Sequence, residues 1–301
     1  MDNHDLAWAA GFFDGEGWAA YQHRGTRARI NQAGLDGVPE VLLKFLRIVG
    51  VGRIDGPLLK EGKQALYYWE ATSRPDVARV AELIGPWLCP VKRAAFEGAL
   101  GAQLPAAIWP GSMSEELAWA GGFFDGEGST YLEKHRTHSG FFVPRLYVPQ
   151  SAEIGTAAEL LRLRAAMRGL GTISGLRRNK NKDTKPYRRW RVFTPDDVQL
   201  GLHLLWPFIG DVKRMQAQQV MQIIHAQPEL PRGNPAFGIP GARYCVRGHD
   251  KWNARVRPYR ARGKDRGSQE RRQCLTCVRE DARARYVSRK QERSRAPRVK
   301  P

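Results

Sequence analysis

Two pairs of acidic residues have the composition and spacing of a site that binds a metal ion. The heptapeptide GFFDGEG occurs twice, and its acids are Asp14 and Glu16 in the first copy and Asp125 and Glu127 in the second. Each copy ends an apolar run that predicts a helix, and the dipole at a helix C-terminus disfavours negative charge. A divalent cation that prefers hard oxygen ligands, such as Mg²⁺, would compensate for this charge. The alternative, that the acids only satisfy backbone groups in a turn, stays open.

The repeat around these acids extends far beyond the heptapeptide. Residues 6–17 read LAWAAGFFDGEG and residues 117–128 read LAWAGGFFDGEG, with one difference. The offset between matching positions grows from 111 residues at Leu6 and Leu117 to 121 at Lys92 and Lys213. Most of this growth falls in the first predicted hairpin, where insertions disturb no core packing. The long offset indicates one duplicated domain rather than a solenoid array.

Each copy predicts the same succession of elements. A helix is followed by a hairpin, an amphipathic helix, a second hairpin and a helix, which gives the order αββαββα and a final helix after it. The small residues at 7, 10 and 11 and at 118, 121 and 122 would let the two first helices approach closely. Packing about a pseudo-twofold axis would then bring Glu16 and Glu127 together. We therefore expect an α+β fold with pseudo-twofold symmetry.

The chain resembles the single-chain LAGLIDADG homing endonucleases. AGFFDGEG at 10–17 and GGFFDGEG at 121–128 stand in the place of the family signature, and the resemblance extends to about residue 225. It implies the LAGLIDADG fold, a monomer, and Mg-dependent, site-specific double-strand DNA cleavage, with Mn²⁺ as the other suitable cofactor. The alternative is a non-cleaving binder on the same fold, either a group I intron RNA maturase or a DNA-binding regulator. Retention of both glutamates favours the nuclease.

The resemblance also implies roles for matched residues of the two repeats. These are the catalytic acids and Mg²⁺ ligands Glu16 and Glu127 with Gly15 and Gly126, the solvent-ordering Gln32 and Gln150, and the charge-stabilising Lys92 and Lys213. Without the resemblance, Gln32 would be an ordinary strand residue and Lys92 an ordinary surface lysine.

Basic residues are concentrated in the predicted hairpins. Hairpins of this fold form a concave surface that fits the DNA major groove, which admits a two-stranded ribbon. Many of the basic residues would contact phosphate and a few would read bases. The candidates are Arg24, Arg27 and Arg29 in the first repeat, and Arg177, Arg178, Lys180, Lys182, Lys185, Arg188, Arg189 and Arg191 in the second.

The C-terminal residues form a strongly basic segment with four candidate zinc ligands. Residues 241–301 contain 20 Lys and Arg against 6 Asp and Glu, which is +14 of the net charge of +19 and points to a nucleic-acid partner. Cys245, His249, Cys274 and Cys277 have the spacing of a tetrahedral structural Zn²⁺ site. A disordered tail with incidental cysteines is the alternative. The fourth cysteine, Cys89, lies in an apolar context that predicts core packing.

These observations together predict domain boundaries, partners and location. We expect repeats at 1–110 and 111–227, a Pro/Gly-rich linker at 228–241 and a zinc-stabilised module at 242–301. The expected partner is double-stranded DNA, with intron RNA under the maturase alternative. An acidic N-terminus, four cysteines and short apolar runs predict no secretion and no membrane association. The expected setting is the cytoplasm, with a prokaryotic or phage gene rather than an organellar one.

Overall fold

The structure is a computed structural model of the 301-residue chain. It describes residues 2–22, 25–34, 37–59, 61–62, 64–134, 142–151, 157–178, 185–226, 255–259, 269–273, 279–280 and 282–283. The chain divides into two compact units, Met1–Gln227 and Pro228–Pro301. The predicted linker, all four predicted zinc ligands, and Arg24, Lys180 and Lys182 lie outside the described residues. No helix in the described ranges has the length and apolarity that a membrane span requires.

The first repeat contains four helices and one four-stranded antiparallel sheet. Its elements are α1 (Asn3–Glu16), β1 (Gly17–Gln22), β2 (Gly25–Gly34), α2 (Glu40–Val49), β3 (Arg53–Leu58), β4 (Ala65–Ala71), α3 (Arg74–Ile84), a 3-10 turn (Gly85–Trp87) and α4 (Pro90–Leu100). The strands are ordered β1-β2-β4-β3. Ser73 caps α3 by accepting from the Asp76 N–H, and left-handed Gly50 ends α2.

The second repeat follows the same order. Its elements are α5 (Met113–Glu127), β5 (Ser129–Lys134), β6 (Phe142–Ser151), α6 (Ala158–Ala166), β7 (Thr172–Ile173), β8 (Tyr187–Val192), α7 (Pro195–Leu205) and α8 (Asp211–Ala226). The strands are ordered β5-β6-β8-β7, which matches the first sheet. Trp69 and Trp190 occupy matching core positions and donate to the carbonyls of Val51 and Leu170 at 3.0 and 2.8 Å. The predicted duplicated αββαββα fold is confirmed.

Helices α1 and α5 pack against each other in the first compact unit, where they join the two repeats. A Cβ atom on Gly11 would lie 1.9 Å from the Trp119 carbonyl oxygen, and one on Gly122 would lie 1.9 Å from that of Trp8. The predicted close approach of these helices is therefore present, and only glycine fits at its centre. Both helices are buried on nearly all sides, which explains why their sequences are apolar without a clear polar face.

The second compact unit contains a basic hairpin that the sequence did not predict. Strand β9 (Arg255–Tyr259) pairs antiparallel with β10 (Gln269–Gln273), and Arg257 lies opposite Arg271.

Candidate active site

The two repeated glutamates meet where α1 and α5 end. A Cβ atom on Gly15 would lie 3.6 Å from the Gly126 Cα and 3.3 Å from the Glu127 Cγ. The reciprocal distances from Gly126 are 3.6 Å to the Gly15 Cα and 3.1 Å to the Glu16 Cγ. The two DGE segments are therefore in contact across the pseudo-twofold axis, and their glutamates share one site.

Burial and mutual repulsion disfavour ionisation of this glutamate pair. Burial, and after it the charge of Glu16, raise the pKa of Glu127 to about 7 against the opposing effect of Lys92 and Lys213. Burial also raises the pKa of Glu16, and Lys213 and Lys92 oppose that shift. Two carboxylates in this environment favour a positively charged ligand between them.

Two lysines flank the glutamates symmetrically. Lys92 donates a hydrogen bond to the Gly17 carbonyl, and Lys213 donates to the Gly128 carbonyl at 2.6 Å. These carbonyls belong to the residues that directly follow Glu16 and Glu127. Burial lowers the pKa of Lys213, and the acids Asp125, Glu16 and Glu127 oppose this shift. The site therefore combines two glutamates and two lysines, whose side chains are partly buried.

The predicted glutamines lie at matching positions near the ends of β2 and β6. Gly17, the first residue of β1, pairs with Ile30 of β2, and Gln32 follows Ile30 by two residues. Gln150 has the corresponding position on β6, three residues after Tyr147, which pairs with Ser129 at the start of β5. The Oε1 atoms of Gln32 and Gln150 are buried, and neither has a hydrogen-bond partner among the described residues. A buried acceptor without a donor is costly, so each oxygen is suited to bind a water or a cation.

The aspartates of the repeated motif have a different environment from the glutamates. Asp14 is buried and accepts from Trp119 Nε1 at 2.8 Å and from the Cys89 N–H at 3.0 Å. Asp125 accepts from Trp8 Nε1 at 3.0 Å and from the Gly210 N–H at 2.8 Å. Burial raises the pKa of Asp14 to about 7 and that of Asp125 to about 6.

The two aspartates tie the repeats together rather than facing the site. Each reaches a tryptophan of the other first helix, and each also holds the backbone just before α4 or α8. Lys92 and Lys213 follow these held backbone groups by three residues. The aspartates thus position the lysines. The identical LAW triplets at 6–8 and 117–119 repeat these tryptophans but do not indicate which acids they bind.

The oxygen-rich donor set fits a hard divalent cation. The carboxylates of Glu16 and Glu127 and the adjacent main chain are ligands that Mg²⁺ accepts. No described part of the chain gathers three or more His, Cys, Asp or Glu side chains into a group that could hold a metal. The two carboxylates that meet here come from different repeats, so a metal site would rely on both repeats together.

The candidate DNA-binding residues lie on and beside the two sheets. Arg27 and Arg29 are on β2, and Arg188, Arg189 and Arg191 are on β8. Arg177 forms an isolated antiparallel β-bridge with Tyr187. Arg188 donates to the Ser174 carbonyl at 3.2 Å and lies opposite Gln150. Arg178 and Lys185 are exposed at the ends of described segments.

Comparison with known proteins supports the fold. No family model matches this sequence, and no curated protein matches it. The solved LAGLIDADG meganuclease I-AabMI bound to uncleaved DNA is 15% identical with a TM-score of 0.51, over 74% of this chain and 90% of that chain. The solved LAGLIDADG meganuclease I-CpaMI bound to uncleaved DNA has a sequence identity of 14% and a TM-score of 0.50, over 75% of this chain and 92% of that chain. The chain has the LAGLIDADG meganuclease fold. The resemblance inferred from the two GFFDGEG segments is confirmed at the level of this fold.

Proposed function

We propose that the protein is a site-specific double-strand DNA endonuclease of the homing type. The observation that carries this proposal is the meeting of Glu16 and Glu127 across the pseudo-twofold axis. A protein that only bound DNA would gain nothing from two carboxylates that repel both each other and phosphate. The solved meganucleases of this fold were bound to uncleaved DNA, which agrees with a duplex DNA partner.

Glu16 and Glu127, with the main chain at Gly15 and Gly126, would hold Mg²⁺ or Mn²⁺. The bound cation would supply Lewis-acid polarisation of a phosphoryl oxygen and a more acidic water. Gln32 and Gln150 would orient water through their Oε1 atoms, which have no hydrogen-bond partner within the described ranges. Lys92 and Lys213 would stabilise the negative charge that develops on the phosphate.

The symmetry of the site suits both strands of a duplex. The backbones of duplex DNA are related by twofold axes, as are the halves of proteins that bind such sites. One repeat would therefore serve each strand, and a single chain would make a double-strand break. The outer faces of the sheets would lie over the DNA and supply the arginines that contact phosphate and bases.

The basic unit at the C-terminus would add affinity for DNA more than specificity. Its charge of +14 over residues 241–301 favours contact with phosphate at any sequence. We propose that Cys245, His249, Cys274 and Cys277 bind one structural Zn²⁺, because a segment this polar has little core of its own.

Cleavage of a randomised or genomic DNA library tests the proposed function. We expect purified protein with Mg²⁺ to produce double-strand ends that share one extended sequence. Enrichment of bound sequences without cut ends would instead favour the non-cleaving binder. Comparison of the cut ends with and without Mg²⁺ separates this activity from a contaminating nuclease, provided that Glu16→Gln protein is run in parallel.

A further inference from the structure

The outer faces of the two sheets differ in charge at matching positions. The outer face is the one turned away from the helices, and it carries alternate residues of each strand. Trp69 and Trp190 match, so Glu70 of the first repeat corresponds to Arg191 of the second. By the same register, Tyr68 corresponds to Arg189. An acid and a phenol in one repeat are thus two arginines in the other.

In the first repeat, Glu70 engages both outer-face arginines of β2. Its Oε1 lies 3.4 Å from Arg27 Nε and 3.8 Å from Arg29 Nη1, and its side chain is only 7% exposed. Arg29 also donates to Asn31 Oδ1 at 3.0 Å and stacks on Tyr68 with its guanidinium carbon 3.5 Å from the ring centre. Glu70 Oε1 accepts no hydrogen bond from any described residue, so its interaction with the two arginines is an ion pair only. The positive charge of this face is therefore partly balanced within the protein.

In the second repeat, Arg189 and Arg191 have no ion pair with any described residue. Their guanidinium groups lie over Tyr147 and Phe193, at 5.8 and 4.6 Å from the ring centres. The Nε atom of each is buried and has no hydrogen-bond partner in the part of the chain that the structure describes. Glu133 forms an ion pair with Arg145, whose Nε lies 2.7 Å from Glu133 Oε2. Burial lowers the pKa of Arg191, the charges of Arg189 and Arg177 lower it further, and Tyr131 and Glu133 oppose this shift.

This difference has a direct consequence for DNA binding. Donors that lack partners and cations that repel one another gain most from a phosphate. Arginines that already share a carboxylate must give up that interaction, at least in part, before they can bind an anion. The unbalanced positive charge on the second face and the partly balanced charge on the first therefore predict unequal affinities for phosphate.

We propose that the second repeat is the primary DNA-binding half, through Arg189 and Arg191 on the DNA backbone, and that Glu70 weakens binding by the first repeat. The inference rests on the proposed function, since it concerns how the same duplex is held. It makes Glu70 a residue that sets the balance between the half-sites rather than a contact to DNA.

Salt dependence of binding tests the proposal with the full-length protein. A mixed-sequence DNA duplex is titrated at several salt concentrations without Mg²⁺. Each lost phosphate contact lowers the slope of log K against log salt by about 0.9. We expect Arg189→Gln with Arg191→Gln to lower it by about 1.8, and the matched pair Arg27→Gln with Arg29→Gln to lower it by less than about 0.5.

Two further variants separate charge from folding. Lysines at 189 and 191 keep the charge, so the Arg189→Lys with Arg191→Lys protein should retain most of the slope. Glu70→Gln should increase both affinity and slope, because it releases Arg27 and Arg29 to bind phosphate. The basic C-terminal residues contribute equally to every variant, so the differences report the sheet faces alone.

The outcomes separate the inference from the proposed function. Equal losses of slope in the two glutamine pairs, or no gain from Glu70→Gln, would overturn the inference. Preference of the wild-type chain for RNA over duplex DNA would overturn it too. Unequal losses in a protein that never cleaves the DNA library would support the inference and contradict only the nuclease activity.

Discussion

Two carboxylates separated by one glycine have opposite roles at the ends of α1 and α5. Residues two apart on a helix point in different directions. Asp14 accordingly reaches Trp119 and the Cys89 backbone, whereas Glu16 lies beside Gly126. The same division holds for Asp125 and Glu127. The aspartate is a structural acceptor, and the glutamate remains available for a ligand.

The raised pKa of Glu127 makes the stability of the metal-free protein depend on pH. Its ordinary value of 4.5 rises to about 7 in the folded chain, so the folded state binds the extra proton between these values. Stability is therefore expected to fall as the pH rises from about 4.5 to about 7. The Glu127→Gln substitution removes this loss of stability. At pH 8 the variant should therefore be more stable than wild-type protein by about 1 kcal/mol, which corresponds to a melting temperature about 2–4 °C higher.

Thermal melts at pH 5 and pH 8 without divalent metal measure this effect. Glu82→Gln, at an exposed position of α3, is the matched control and should leave the pH dependence unchanged. Identical melting of Glu127→Gln and wild-type protein at pH 8 would contradict the proposed repulsion.

Removal of an aspartate should destabilise the link between the repeats. Asp125→Ala leaves the Trp8 Nε1–H and the Gly210 N–H without their acceptor. A buried donor without a partner costs about 1–3 kcal/mol, so we expect a loss of at least this size in urea denaturation. Asp211→Ala, at an exposed position of α8, should cost far less. A difference within about 0.5 kcal/mol between the two variants would argue against a structural role for Asp125.

At the scale of elements, the contact between α1 and α5 depends on glycine. Gly11→Ala would place a Cβ atom 1.9 Å from the Trp119 carbonyl oxygen, so the helices must separate. Overpacking typically costs about 1–3 kcal/mol, and a backbone clash places this variant at the upper end or beyond.

Gly98 provides a matched control in another helix. It lies in α4, and a Cβ atom there would meet nothing within 4 Å. Gly98→Ala should therefore stabilise the protein by about 0.5–1 kcal/mol through helix propensity. The pair is compared by urea denaturation, and a Gly11→Ala variant as stable as Gly98→Ala would disprove the close packing.

The sequence predicts the elements of each repeat because its signals there are local. The apolar helices end at the repeated acids, as expected. Gly50 ends α2 and Pro90 begins α4, which are both local signals in the sequence. The bond from Trp8 to Asp125 joins residues 117 positions apart, and no local pattern indicates such a pair. The same holds for the contact of Glu70 with two arginines of a neighbouring strand. The duplication, together with the small residues of the two first helices, predicted that Glu16 and Glu127 would meet.

At the scale of the whole molecule, the basic C-terminal unit should act mainly through charge. Truncation after Gln227 leaves the first compact unit and removes the net charge of +14 that residues 241–301 carry. We expect weaker DNA binding, a smaller salt slope by about 0.9 per lost phosphate contact, and an unchanged preferred cleavage sequence. An unaltered slope would exclude phosphate contacts by this unit.

Metal analysis of the full-length protein tests the zinc proposal separately. Protein purified without chelator should contain one zinc per chain, and Cys274→Ser with Cys277→Ser should reduce this content to near zero. Wild-type protein without zinc would contradict the proposed ligand set.

The most direct test of the central claim compares binding and cleavage on one DNA site. A duplex that carries the sequence selected from the library is incubated with wild-type, Glu16→Gln or Glu127→Gln protein in the presence of Mg²⁺. Neutral amides bind divalent cations poorly, so each variant should bind the duplex within a few-fold of wild-type affinity while double-strand cleavage is lost. Undiminished double-strand cleavage by either variant would contradict the assignment of Glu16 and Glu127 as the catalytic acids.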